Sequence, residues 1–193
     1  YNLLINNYKK LIHERQQILQ NSHYDEMWID KLENNIVSFG IEIYKKRFEQ
    51  IHILNSTLIK LDILQNLSYK FILKLTDKLV EKDLNTNDVD RNFYNNELKK
   101  NRKTDSLTGG CAFGPHRSDI IGYKINTDFN INQFSTGQQK TVILLIIIAQ
   151  CKYLIEERNL KPIILLDEVC SHLDNDNREL LLYLIGKLEV QVF

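Results

Sequence analysis

The sequence predicts a chain in two parts, an α-helical first half and an α/β second half built on a mostly parallel sheet. Three observations predict it. Apolar residues before about residue 105 recur at helical spacings, and beyond it strand-like apolar runs alternate with helical ones. No proline occurs before Pro115, which leaves the first half free of the residue that breaks helices most strongly. The texture changes just after Thr104, where Gly109, Gly110 and Gly114 enter the sequence.

Leu4, Tyr8, Leu11, Ile12, Ile18 and Leu19 form an amphipathic stripe with Lys9, Lys10, Glu14 and Arg15 between them, which predicts a first helix. Asn21-Ser22-His23 interrupts it, and Asp25 is a cap for a second helix. That helix carries Trp28, Leu32, Ile36, Phe39, Ile43, Tyr44, Phe48, Ile51 and Leu58 on one stripe and has one internal glycine, Gly40. A further amphipathic stretch from Leu61 to Leu84 reads as a third helix, and a polar one follows through Tyr94 and Leu98. The pattern favours a helical bundle packing on itself over an arm that grips a partner. Two short basic runs, Lys45-Lys46-Arg47 and Lys99-Lys100 with Arg102-Lys103, are either solvated faces or nucleic-acid contacts.

In the second half, Asp119 to Ile125 alternates like a strand, and a polar turn follows over Asn126 to Asn132. A helix from about Thr136 to Glu157 leads through Pro162 to Ile163-Ile164-Leu165-Leu166, which reads as a buried strand. Asn177 to Lys187 is the last helix, and Val190 to Phe193 starts another strand. Strand, helix, strand, helix, strand is an α/β order.

Bulk properties exclude little but narrow the setting. The 193 residues carry 25 Lys+Arg against 25 Asp+Glu, so any attraction to nucleic acid comes from a local patch and not from overall charge. Cys111, Cys151 and Cys170 lack metal-ligand spacing and read as buried thiols of a reducing, cytoplasmic protein. The longest apolar run, Val142 to Ala149, is about half of what a bilayer span requires, so no membrane role is expected. The chain opens on Tyr1 and stops inside a strand, and it reads as a fragment.

Two segments carry chemistry. Ile163 to Leu166 delivers Asp167 and Glu168 at a strand's C-terminal end, where α/β nucleotide-binding sheets put their metal and water chemistry. Asp167 would hold Mg²⁺ and Glu168 would orient the attacking water; the plainer reading is a strand end that caps the next element. Phe134-Ser135-Thr136-Gly137-Gln138-Gln139-Lys140 runs straight into a helix, where a hydroxyl, free amides and the positive dipole end make an anion site. The plainer reading there is an ordinary serine N-cap.

In order along the chain, Phe134 to Gln138, Ile163 to Glu168 and Ser171-His172-Leu173-Asp174 resemble the signature, Walker B and D-loop of the ABC ATPase family. Thr136 stands where a glycine is common, while Ser135 and Gly137 keep the phosphate-facing positions. Gly114-Pro115-His116-Arg117-Ser118-Asp119, the extended Phe134–Lys140 segment and Trp28 to Phe48 narrow the resemblance to the RecF family. For His116 a role in shaping the backbone is favoured; for Arg117 a contact to phosphate of nucleotide or DNA is favoured.

The resemblance implies a helical arm over residues 1–105 and, over 106–193, the C-terminal part of a P-loop NTPase-like ABC head. It implies that Ser135, Gly137 and Gln138 contact ATP bound by a second subunit, that Asp174 is the D-loop aspartate, and that ATP with Mg²⁺ closes a homodimer on DNA. Double-stranded DNA, single-strand/double-strand junctions and recombination mediators of the RecO/RecR kind are the implied partners. No Gly-x-x-x-x-Gly-Lys-Ser/Thr loop occurs, so the main phosphate cradle would come from a segment outside this chain and the chain alone would be inactive. Two rivals remain: a head of the SMC or Rad50 type that tethers DNA, and a non-enzymatic helical interaction module.

Overall fold

The computed structural model describes residues 1–21, 23–61, 70–81, 88–166 and 175–193. The chain divides into two compact units, Tyr1–Glu49 with Leu75–Ile120, and Gln50–Lys74 with Ile121–Phe193.

In the first unit, α1 (Asn2–Gln20), the N-terminal part of α2 (Glu26–Ile59) and α3 (Arg91–Thr108) pack together. The Asp25 carboxylate accepts from the amides of Met27 at 2.8 Å and Trp28 at 3.4 Å, so the expected cap starts α2. Asp90 does the same for α3, taking the Asn92 and Phe93 amides, and Gly109 at φ 73° ends that helix in the left-handed conformation. α1 and α2 run antiparallel, because Arg15 meets Glu33 while Arg47, further along α2, meets Tyr1. The internal glycine of α2 marks its close approach to α3. A Cβ on Gly40 would lie 2.8 Å from Cε1 of the fully buried Tyr94.

Two sequence expectations fail in the helices. Trp28, assigned to the apolar stripe, is 57 % exposed, whereas its neighbour Ile29 is fully buried and carries the stripe instead. Arg15, assigned to the polar residues of α1, is 1 % exposed. It lies in register with Tyr8 and Leu19, the other buried residues of α1, at steps of seven and four.

A third failure concerns the expected helix over Leu61 to Leu84. Residues 62–69 and 82–87 lie outside the described residues, but between them Phe71–Thr76 is a strand, β1. Phe71, Leu73 and Leu75 are buried while Lys74 is exposed, a period of two that the surrounding apolar residues concealed. β1 pairs with β2 (Asp119–Lys124), and the Ile125 amide donates to the Lys70 carbonyl at 2.8 Å. The expected turn after β2 is present, with Asn126 at φ 63° and the Lys124 amide bonded to Phe129 at 2.9 Å.

In the second unit, α4 (Thr136–Arg158) is followed by β3 (Ile163–Ile164), α5 (Asn175–Lys187) and β4 (Gln191–Val192). β3 and β4 are parallel, with Ile163 opposite Gln191 and Ile164 opposite Val192. Further bonds from Leu166 to Phe193 at 2.8 Å and from Phe193 to Ile164 at 3.0 Å extend the ladder. This is the strand–helix–strand unit the sequence predicts. The β3 run is not buried on both faces, however. Ile164 is 4 % exposed, but Ile163 is 59 % and Leu165 76 %, so among the described residues only one face of the strand is covered.

α4 as a whole, rather than Val142–Ala149 alone, is long and apolar enough by length and composition to cross a membrane, with 39 % of its most apolar window buried. Here its Leu144 and Leu145 are buried and pack with Leu181 and Leu184 of α5, as a core helix does.

Candidate functional site

The first candidate is the turn Gly114–Ser118 in the first unit. Gly114 has φ 130°, and a Cβ there would fall 2.2 Å from the Tyr8 hydroxyl and 2.4 Å from the Tyr94 hydroxyl, so only glycine fits. Pro115–Arg117 then makes one tight 3₁₀ turn. Arg47 of α2 clamps it by donating to the Pro115 carbonyl and the Ser118 hydroxyl.

His116 is engaged on both ring nitrogens. Nε2 lies 2.9 Å from the Cys111 carbonyl, which only accepts, so Nε2 carries the proton and Nδ1 accepts from the Tyr8 hydroxyl at 2.9 Å. Tyr94 then donates to Tyr8 at 3.1 Å, giving a chain that runs Tyr94, Tyr8, His116, Cys111. Partial desolvation of the ring, helped by the nearby Arg117 and Arg47 charges, holds the imidazole pKa below its usual value. Burial likewise raises both tyrosines, which keeps the whole chain neutral. His116 therefore shapes the backbone, as its turn setting predicts. Arg117 donates through Nε to the same Cys111 carbonyl at 2.9 Å, and its guanidinium lines a cleft of about 470 Å³ with Lys78, Thr104 and Phe113.

The second candidate is the start of α4 in the second unit. Ser135 is its N-cap; the Ser135 hydroxyl accepts from the Gln138 amide at 3.3 Å, and the Gln138 side-chain oxygen accepts from the Ser135 amide at 3.1 Å. This capping box satisfies two amides of the helix end. Gln139 ties the turn down by donating to the Asn132 and Phe134 carbonyls at 2.9 and 3.0 Å, and Phe134 stacks on Phe129 at 5.8 Å. The Ser135 hydroxyl accepts one bond but keeps its own proton to donate, and Gly137 adds no side chain over the first turn. The plainer reading of Ser135, a helix cap, describes the bonds present; an anion at the helix start is compatible with all of them.

The third candidate, Asp167, Glu168 and Asp174, lies outside the described residues, as does Cys170. β3 and its extension lead to Leu166, the residue before Asp167. Among the described residues no group of three His, Cys, Asp or Glu side chains is placed to hold a metal ion.

The sequence reading missed a buried charge network in the first unit. Arg15 bonds Glu33 at 2.9 Å, Asp105 at 2.7 Å and the Leu98 carbonyl at 2.8 Å, joining α1, α2 and α3. Arg102 reaches Glu33 at 2.5 Å, Glu26 at 2.8 Å and Asp30, and Lys99 reaches Asp30 at 2.8 Å. Arg102 and Lys99 are thus engaged by the bundle's own carboxylates, while Lys100 and Lys103 of the same run stand exposed. Arg47 is likewise engaged in holding the turn, and Lys45 and Lys46 stand exposed. The signal for the network was present: Tyr8, Arg15 and Leu19, and Tyr94, Leu98 and Asp105, keep helical spacing across a charged residue.

No protein-family model matches the chain. Over 190 residues, 98 % of the chain, it is 30 % identical to the DNA replication and repair protein RecF of Rickettsia prowazekii (strain Madrid E) and of Rickettsia rickettsii (strain Sheila Smith). The chain spans about half the length of these curated relatives, 52 %. Among solved structures it is similar to the recombination mediator protein RecF with ATP in the RecFOR pathway, at TM-score 0.77 and 24 % identity, over 100 % of this chain and 52 % of that one. The fold is therefore that of RecF over the matched stretch.

Proposed function

We propose that this chain, a relative of the RecF proteins over nearly its whole length, works as part of an ATP-driven DNA-binding ATPase for recombinational repair. The single observation that carries the reading is the similarity to RecF along 98 % of the chain. The RecF structure with ATP, which shares this fold, supports ATP as the nucleotide. In this reading residues 1–105 form the helical arm and residues 106–193 part of the ABC head, with the main phosphate cradle supplied from outside the chain.

The proposed division of labour follows from chemistry. Ser135, Gly137 and Gln138 offer a hydroxyl, open backbone and the positive end of α4 to the nucleotide of a second subunit. Asp167 would hold Mg²⁺, which supplies charge neutralisation at the phosphates when bound. Glu168 would orient the water that attacks the terminal phosphoryl group, and Asp174 would be the D-loop aspartate. ATP binds the closed dimer better than the open monomers, so it shifts that equilibrium, and hydrolysis reverses the shift. Duplex DNA, junctions with single strands and mediators of the RecO/RecR kind are the partners in this proposal, and the cytoplasm is its setting. The RecFOR pathway of the solved relative supports mediators of this class. The rival tethering head calls for a very long heptad repeat; α1, α2 and α3 instead pack side by side, and α2 is 34 residues long.

Ser135→Arg in the full-length protein tests the trans contact. A guanidinium-bearing side chain at the cap should block closure while leaving the nucleotide's own cradle intact. Light scattering after size exclusion is expected to show that ATP dimerises the wild type and leaves the variant monomeric, with ATP affinity unchanged. A variant that dimerises and turns over like wild type would reduce Ser135 to a helix cap.

A further inference from the structure

We infer that the cleft beside Arg117 is a phosphate-binding site in which Lys78 is a second cationic arm; the inference rests on the reading of Arg117 as a phosphate contact. The cleft has a volume of about 470 Å³ and is lined by Asp77, Lys78, Thr104, Thr108, Phe113 and Arg117 among others, all within the first unit.

Which charges are free for a ligand decides what it takes. The carboxylates around it already accept hydrogen bonds, Asp105 from a cation and Asp77 and Glu81 from neutral donors that leave their charge in place. Asp105 accepts from Arg15 at 2.7 Å and from the Ala112 amide at 3.0 Å. Asp77 accepts from Tyr44 and from the amides of Leu79 and Val80 at 2.8 and 2.9 Å, and Glu81 accepts from Thr76 at 3.1 Å. The two cations differ. Arg117 uses one nitrogen, Nε, on the Cys111 carbonyl, and Lys78 rests over the Phe113 ring at 5.6 Å. Among the described residues neither has a carboxylate in ion-pair range.

Unused donors thus come from the guanidinium terminus, the ammonium group and the threonine hydroxyls, a set that matches phosphate oxygens. The guanidinium is also held ready. The Cys111 carbonyl that fixes Arg117 is fixed in turn by His116, whose other nitrogen is bonded to Tyr8 and through it to Tyr94. A preorganised donor loses less freedom on binding than a mobile surface side chain. The phosphate is either that of a nucleotide or a phosphodiester of nucleic acid.

The test uses the full-length protein with Lys78→Gln and Arg117→Gln, singly and together, and two probes: ATP, and a fluorescently labelled duplex across a salt series. Lys78 is exposed, so its variant keeps the fold even if Arg117→Gln loosens the turn. Each substitution is expected to weaken one probe roughly tenfold and leave the other unchanged. A weaker duplex complex whose log–log salt slope drops by about one per substitution identifies the phosphodiester source; a weaker ATP complex alone identifies the nucleotide. Variants that bind both probes as wild type, while ATP-driven dimerisation persists, remove the cleft and spare the RecF-type reading. A wild type that binds a probe, weakened in the variants, but never dimerises with ATP keeps the cleft and removes that mechanism. A wild type that binds neither probe removes both.

Discussion

At Arg15 the chain buries a charge completely and surrounds it with two carboxylates and a carbonyl. Such a network is costly to disrupt on one side only, because Asp105, at 1 % exposure, would keep a charge without a counterion, and the buried Glu33 would be left with Arg102 alone. Arg15→Ala is expected to destabilise the protein by about 3–5 kcal/mol in urea unfolding; a loss below about 1 kcal/mol, the range of a surface ion pair, would show that the network is solvated in solution. His116 makes a second residue-scale prediction. Its folded pKa lies below the usual 6.5, so the unfolded chain binds the proton more readily. Stability from this group is full above the ordinary imidazole range and declines as pH falls through it. His116→Gln keeps an acceptor for Tyr8 and a donor for Cys111, and should flatten the fall in melting temperature between neutral and mildly acidic pH. An unchanged pH profile would show that other groups set it. Neither residue's role was open to a reading by composition alone. Arg15 sat among charged neighbours, and only its register with Tyr8 and Leu19 set it apart. His116 was readable as a backbone-shaping residue from its Gly-Pro setting, but its partners come from positions far away in sequence.

Among the elements, those that open on a chemical cap were the most legible. α2 and α4 start where Asp25 and Ser135 say they should, and the β3–α5–β4 unit follows the predicted order. β1 was hidden because Phe71 to Thr76 lies inside a longer apolar stretch that also satisfies helical spacing. Gly40 was visible as an oddity but had no explanation until α3 was placed against it. Alanine usually favours a helix interior over glycine by about 1 kcal/mol, yet a Cβ here meets the Tyr94 ring at 2.8 Å. Gly40→Ala should therefore lower the stability by about 1–3 kcal/mol, the cost of overpacking, as read from the urea midpoint. A stabilised variant would mean that Tyr94 moves aside without loss.

For the whole molecule, the motif order carried more than any single motif did. A serine cap, a strand ending in Asp-Glu and a Ser-His-Leu-Asp segment are each commonplace; their sequence along one chain points to an ABC head, and the similarity to RecF over 98 % of the chain agrees with it. The candidate site was less legible than the fold. Its Ser135 and Arg117 parts are described, in separate units, while Asp167, Glu168 and Asp174 fall outside the described residues. The proposed contact of Ser135 with a second subunit is also beyond one chain's periodicity, since its partners would lie on another copy. The most direct measurement is therefore made on the full-length protein with Glu168→Gln, which should keep nucleotide binding and remove the group that orients water. With ATP and duplex DNA, light scattering should show a dimer that forms as in wild type but persists, while phosphate release falls at least a hundredfold, about the contribution of a general base. A variant that hydrolyses ATP at the wild-type rate, or a wild type that never dimerises with ATP, would contradict the assignment.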